Sequence, residues 1–391
     1  MVKKIRFKRK NTFGMLDIEL LSIISIMVLF GLVMVGSASS VSALYKYGDS
    51  MLFLRKQLIV ALAGFVAMYL ISRVDYHKIA SPLMIMIGYG IVWVLMVLAA
   101  FIGEDINGAH RWITIGGTSL QPSEPAKIVL VVLTAYVCSR QKKEALRTFK
   151  GGFLTYVIIL GVSVIPLILE RHKSACIIFA LLVFSIAFIG GANLKYYFAA
   201  APVALVGLIV WFMSDTYSSN RIMSMFNPFL DPRGTGYQAV QSLYAIGSGG
   251  LFGLGLGRSQ QKIMYIPEPQ NDFIFSIICE ELGFIGAIGV IMLFVLFMFR
   301  CIKIASEAPD KLGKLIAMGL TTLIMSQFII NIMVVTATGP VTGMPLPFFS
   351  AGGTNLLFTL AGMGLLLNIS RQSVKRVKQP VKTIETKKRY I

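Results

Sequence analysis

Residues 267–283 read PEPQNDFIFSIICEELG and lead without a break into an apolar run from 273 to 299. A helix needs roughly 20 apolar residues to cross a bilayer, and this run is long enough. Four of the chain's 18 acidic residues fall in the short stretch: Glu268, Asp272, Glu280 and Glu281. The pattern places Asp272 at the mouth of a spanning helix, with Glu280 and Glu281 inside it. A carboxylate at mid-bilayer costs about 2.5–3.5 kcal/mol or more, so acids there need a functional role or a partner.

The rest of the chain repeats the apolar pattern. It has 391 residues, is 56% hydrophobic, and has a mean hydropathy of +0.75. Ten segments have spanning length, near 18–41, 53–72, 82–102, 122–138, 152–169, 174–190, 197–213, 273–299, 315–336 and 351–370. The fold expected is an all-α integral membrane protein, a bundle of ten transmembrane helices with a large loop, 214–272, between helices 7 and 8. A basic segment, 1–17, precedes the membrane domain at 18–370, and a basic tail, 371–391, follows it.

The net charge of +19 is not a nucleic-acid signal, because of where it lies. With the amino terminus inside, 26 of the 37 Lys and Arg fall in the two termini and the short loops on the same side. This positive-inside bias predicts a multi-pass protein of the cytoplasmic membrane with both termini cytoplasmic. The first apolar run is too long for the core of a cleaved signal peptide. The four cysteines lie in or beside predicted spans, and the three histidines are scattered, so neither a disulfide framework nor a metal site is indicated. Loop length is concentrated on the other side, in 103–121, 214–272 and 337–350. Long loops in a compact protein usually carry function, so these three should converge on an extracytoplasmic working face.

Asp272 has two readings. At a helix amino terminus it can be an N-cap. Partly desolvated, it can also serve as a general base. Glu280 and Glu281 lie roughly 12–13 Å further along, rotated by about 80° and about 180°, so they cannot share a site with Asp272 directly. They are expected to pair with a basic residue of a neighbouring helix or with backbone. A second constellation is Arg111, Trp112, Ser123, Glu124 and Lys127. Glu124 and Lys127 are i,i+3 neighbours and can pair, while Lys127 can also neutralise an anionic substrate. Trp112 suits either the interfacial belt or a stacking platform for a sugar or isoprenoid. In the long loop, Arg221, Arg233, Arg258 and Lys262 are cations suited to a diphosphate. The glycines from 247 to 257 do not have dinucleotide-binding spacing and suggest close packing or a re-entrant segment.

Four motifs, in order, resemble the SEDS family (the FtsW, RodA and SpoVE types), and the resemblance covers nearly the whole chain. They are NGAHRWITIGGTSLQPSEPAK, DPRGTGYQAVQSLYAIGSGGLFGLGLGRSQQK, PEPQNDFIFSIICEELGF and GPVTGMPLPFFSAGGTN. The glycine-rich loop and the PEPQ lead-in look closest to the FtsW and SpoVE branch. The resemblance implies a peptidoglycan glycosyltransferase that polymerises lipid II in division or sporulation. The family's essential aspartate falls on Asp272, and its Trp and Lys fall on Trp112 and Lys127. It also implies a class B penicillin-binding protein as transpeptidase partner, alongside other division or sporulation membrane proteins.

On that reading Asp272 takes the proton of the acceptor's 4-hydroxyl and undecaprenyl diphosphate leaves with inversion. Lys127 with Arg111, Arg221 or Arg258 stabilises the leaving charge, and Ser123 and Glu124 complete the binding set. No cofactor is implied, and a divalent cation would find no dedicated ligand set in the sequence. The alternatives are a lipid II flippase and a non-catalytic scaffold of the division machinery. Three departures from the family pattern stand out: Gln270-Asn271 for His-Thr, Ala351 for Tyr, and ERHKSA at 170–175 for Gln-Pro-Asp-Leu-Gly-Thr. The last removes an acid and adds cations at an outer helix junction.

Overall fold

The computed structural model describes residues 14–373, apart from 107–108, 116–117, 215 and 264. The predicted basic segment and tail therefore lie largely outside the described residues. The chain runs through α1 (Ile18–Tyr47), α2 (Leu52–Arg73), the single turn α3 (Tyr76–Ile79) and α4 (Pro82–Ile102). Three short strands follow, β1 (Glu104–Ile106), β2 (Ala109–Ile115) and β3 (Thr118–Leu120). Then come α5 (Ser123–Arg140), the single turn α6 (Lys143–Leu146), and a π-helical turn, Phe149–Leu154, that continues into α7 (Thr155–Leu169). The chain continues through α8 (Lys173–Gly190), α9 (Leu194–Met213), α10 (Thr216–Phe226) and α11 (Tyr237–Ser248). It ends with α12 (Ile274–Ser306), α13 (Lys311–Val335) and α14 (Gly353–Gln372).

Among the described residues, nine helices are long and apolar enough to cross a membrane. The segment expected at 122–138 is α5, an 18-residue helix outside that set. It carries Glu124, Lys127 and Arg140, and it packs between α8, α13 and α4. Glu124 and Lys127 are tolerated because protein surrounds them, whereas Arg140 lies exposed at the helix end. The centre of the bundle is α13 and α14, with α2 lying along α14. At the opposite extreme, α9 buries none of its residues. It is attached at its two ends. Near one end the Tyr197 hydroxyl donates to the Gly152 carbonyl at 2.5 Å. At the other, Lys173 Nζ donates to the Trp211 carbonyl at 2.8 Å and lies over the Trp211 and Phe212 rings.

Two features were not expected from hydropathy. Loop 103–121 is a three-stranded antiparallel meander ordered β1-β2-β3, built where β-branched and aromatic residues (Trp112, Ile113, Thr114) favour extended backbone. Loop 214–272 contains α10, a 3₁₀ turn at Pro228–Leu230, and α11, so much of its length is helix.

Glu280 and Glu281 are structural, as expected: they accept loop backbone N–H groups, but their basic partner comes from the loop, and the neighbouring helix α1 contributes the Ser37 hydroxyl. Lys262 Nζ donates to Glu281 Oε1 at 2.8 Å and to Ser37 Oγ on α1 at 3.1 Å, and Ser37 also donates to Glu281. Glu280 accepts the backbone N–H of Gln260 at 2.9 Å and the Ser259 hydroxyl. Successive N–H groups turned toward one anion form a nest that holds charge without a cation. Lys262 is thus buried in a pair and is not the free outer cation predicted for a diphosphate.

The glycine-rich segment lies directly on the backbone at the end of this acidic stretch. Leu254 N–H donates to the Glu280 carbonyl at 2.9 Å and Gly255 N–H to the Glu281 carbonyl at 3.0 Å. In return Phe284 N–H donates to the Gly250 carbonyl at 2.9 Å. The exchange is possible because α12 is interrupted at Gly283, which has φ 66°. At Gly253, φ is 78° and a Cβ would stand 2.2 Å from the Glu281 carbonyl oxygen, so only glycine fits. Gly253→Ala is expected to loosen this docking by about 1–3 kcal/mol. Limited trypsinolysis in detergent checks it: cleavage after the otherwise buried Lys262 should rise at least about fivefold.

Candidate active site at the loop-bearing end

Asp272 immediately precedes α12, but it does not cap it. The N-cap position is Phe273, and no side chain hydrogen-bonds to the first turn. The capping reading is therefore set aside. The segment 337–354 accounts for Asp272's placement. Asn331 on α13 donates from Nδ2 to the Asp272 carbonyl at 2.7 Å and to the Met344 carbonyl at 2.8 Å, tying the two segments together. Gly343 then faces the carboxylate: its φ is 67°, and a Cβ built there would lie 3.8 Å from Asp272 Oδ2. Burial pushes the Asp272 carboxyl up to about 6, against the opposing pull of its own backbone N–H and of Arg221. Glu268 adds a smaller upward push. The side chain remains partly accessible.

The same segment gathers the other loops, so the expected convergence is present. Arg221 Nη1 on α10 donates to the Val341 carbonyl at 2.7 Å. Ala351 N–H donates to the Gln270 carbonyl at 2.8 Å. The Thr354 hydroxyl donates to the Ser119 carbonyl at 2.9 Å and accepts from Gln121 N–H. The Ser174 hydroxyl, at the start of α8, donates to the Thr342 carbonyl at 3.2 Å.

Beside this hub stands the second predicted constellation. Lys127 Nζ donates to Glu124 Oε1 at 2.8 Å, both side chains are buried, and Asn355 Nδ2 donates to the other Glu124 oxygen at 3.2 Å. Ser123 is buried at the first position of α5. Arg111 and Trp112 lie on β2, both partly buried, with Trp112 in register with Glu104. Arg258 is exposed beside Ser259, at the Glu280 junction, whereas the charges acting on Asp272 are Arg221 and Glu268.

The divergent segment joins this group. Helix α7 ends in a paired closure: Arg171 N–H returns to Ile168 and His172 N–H to Leu167. Arg171 takes the left-handed position, φ 54°, where glycine is usual. The turn leaves Arg171 exposed and directs both Glu170 and His172 inward. An acid is therefore present at this junction after all. The Arg111 charge acts on both residues, and the Lys127 charge acts on His172.

Buried polar atoms without a hydrogen-bond partner among the described residues concentrate here. They include Ser123 Oγ, both Glu170 oxygens, His172 Nδ1, Gln270 Oε1 and Thr342 Oγ1. Such groups are rare in folded interiors, so a cluster of them makes this polar region the candidate functional site. Their positions could not be read from the sequence, because they depend on how α5, α8 and the 337–354 segment pack together.

The fold and site define a polytopic helical membrane protein with one polar centre, built from loops at one end of the bundle. The chain belongs to the FtsW/RodA/SpoVE family of cell cycle proteins, whose model matches residues 18–375. It is 39% identical over 359 residues to stage V sporulation protein E of Bacillus subtilis, covering 91% of this chain and 97% of that one. It is 38% identical over 357 residues to a probable peptidoglycan glycosyltransferase FtsW of Trichlorobacter lovleyi, covering 90% and 93%. Among solved structures, it matches a chain from a study of polymerization and crosslinking by a peptidoglycan synthase complex. That match has a TM-score of 0.76 and 26% identity, covering 92% of this chain and 99% of that one. It also matches the rod shape determining protein RodA of Thermus thermophilus, with a TM-score of 0.67 and 25% identity, covering 92% and 98%.

The Lys127–Glu124 pair separates structural from chemical roles. Lys127→Met leaves Glu124 buried without its cation and should cost about 3–5 kcal/mol. Adding Glu124→Leu should restore most of the thermal stability in detergent without restoring turnover. Recovery of both would reduce Lys127 to a packing residue.

Proposed function

We propose that this chain is a peptidoglycan glycosyltransferase that polymerises lipid II at the outer face of the cytoplasmic membrane, in septum or spore-wall synthesis. The observation that supports this best is Asp272, a partly accessible carboxylate with a raised proton affinity, held against Gly343 beside Arg221. Such a group is mostly ionised at neutral pH, yet basic enough to accept a proton from an attacking hydroxyl.

The reaction then follows from the arrangement. The acceptor's 4-hydroxyl oxygen attacks the anomeric carbon of the donor. Its proton passes to Asp272, and the bond to undecaprenyl diphosphate breaks with inversion. Lys127 and Arg111 stabilise the charge that grows on the leaving diphosphate, in a site where surrounding protein strengthens the interaction. A divalent cation could stabilise the same leaving charge, although no dedicated ligand set is evident in the sequence. Among the described residues, no group of three or more His, Cys, Asp or Glu could hold a metal ion. The loop-bearing end is assigned to the extracytoplasmic side and both termini to the cytoplasm, in keeping with the charge bias. The partner is a class B penicillin-binding protein that cross-links the new strand. This fits the solved relative, which comes from a study of a synthase complex.

The test is polymerisation of lipid II by the purified protein together with its transpeptidase partner. Asp272→Asn should lower the rate by about 10²–10⁴-fold. The general base must be ionised, so wild-type turnover should fall about tenfold per pH unit below pH about 6 and level off above it. Equal polymer from wild type and Asp272→Asn would remove Asp272 from the mechanism.

A further inference from the structure

The reading above leaves the buried pair at the α7–α8 junction without a role. Glu170 is fully buried and His172 nearly so, yet neither Glu170 oxygen has a hydrogen-bond partner among the described residues. His172 Nδ1, also unpartnered, lies 3.8 Å from Glu170 Oε2, too far for a hydrogen bond between them. The turn that directs both inward places Arg171 in a left-handed conformation that disfavours side chains, and strain of this kind collects at functional sites. Ser174, two residues on, contacts Thr342, the neighbour of the glycine that faces Asp272. The pair therefore adjoins the reaction centre.

We propose that Glu170 binds the lipid-linked diphosphate as an uncharged carboxyl, donating its O–H to a phosphate oxygen that Arg111 and Lys127 neutralise, with His172 as its neutral neighbour. The inference rests on the polymerase reading for the identity of the ligand. The charged and titratable groups around this pair are Arg111 on β2, Lys127 on α5 with its partner Glu124, and the Cys176 thiol on α8, with Arg171 and Lys173 flanking. Lys127 spends one ammonium donor on Glu124, and an ammonium has three, so it can also reach a phosphate oxygen. Burial raises the Glu170 carboxyl to about 8, only partly opposed by Arg111. Burial, with Arg111 and Lys127, holds the His172 imidazole neutral. An ionised Glu170 would repel a diphosphate, whereas a protonated one supplies a donor close to the Arg111 and Lys127 charges. This also explains an acid buried without hydrogen-bond donors of its own.

The test compares wild type, Glu170→Gln and Glu170→Ala from pH 7.5 to 9.5, a range in which phosphate ionisation is already complete. The two readouts are the initial rate of lipid II polymerisation and the binding of undecaprenyl diphosphate, which needs no turnover. Wild type should lose about tenfold in both per pH unit above pH about 8, as the donor proton is lost. Glu170→Gln keeps an N–H donor and cannot ionise, so its profile should stay flat within about twofold. Glu170→Ala should bind weakly at every pH while melting within a few degrees of wild type. Alkaline loss identical in wild type and Glu170→Gln, or full binding by Glu170→Ala, overturns the proposal. If wild type binds the diphosphate in the expected pH-dependent way but makes no polymer, the polymerase reading fails and this one stands.

Discussion

Two adjacent carboxylates at one end of α12 set the position of most of the loop-bearing face. Burying Glu280 and Glu281 without compensation would be prohibitive, and the compensation comes from a segment some twenty residues upstream in sequence. The backbone N–H groups of 259–261 and the Lys262 ammonium turn onto them, while Ser37 brings α1 into the same network. Once those contacts form, the glycine-rich run has one path available, across the interruption at Gly283. The chain from 262 to 272 then has only a short distance to cover before α12 begins. The buried ion pair thus acts less as a source of stability than as a registration device, fixing which part of a long loop meets which helix.

The proposed reaction centre lies one step out from that anchor. Asn331 spends both amide hydrogens on carbonyls, one at Asp272 and one at Met344, so the helix start and the last loop are held by a single side chain. Arg221 joins the same loop through Val341, and Ser174 joins it through Thr342. A rigid polar framework of this kind is what an electrostatic catalyst needs, because donors already in position cost no reorganisation as charge develops. It also means that the segment 337–354 acts as the hub of the site, although its own residues are mostly apolar or small.

The helices could be read from hydropathy because each had to supply a continuous apolar surface, and the family motifs located Asp272 and Lys127. What remained hidden was tertiary. For Asp272 the sequence left a cap and a general base both open; Phe273 takes the cap position and the carboxylate faces Gly343. Lys262 looked like a solvent-facing cation, because nothing in its neighbourhood reveals that Glu281 lies against it in space. The 170–175 segment looked like a loss of acid, since residue type alone does not show that the turn at Arg171 directs the Glu170 carboxylate inward. Strands in 103–121 were missed for a simpler reason: three short strands in a membrane chain give a far weaker pattern than a spanning helix.

The contacts of α1 work as a ruler. Asp17 pairs with Arg300 at one end of the bundle, and Ser37 meets Glu281 at the other. Twenty residues of unbroken helix separate Asp17 from Ser37, a rise of roughly 30 Å. That equals the thickness of the hydrocarbon core of a bilayer. The two polar clusters therefore mark the two edges of the oily layer, and Glu280 and Glu281 belong to its boundary and not to its middle. The glycine-rich segment docks at that level and leaves Leu251, Phe252 and Leu256 exposed along its length. A lipid substrate would meet it as a floor at the height where its isoprenoid tail gives way to diphosphate and sugar.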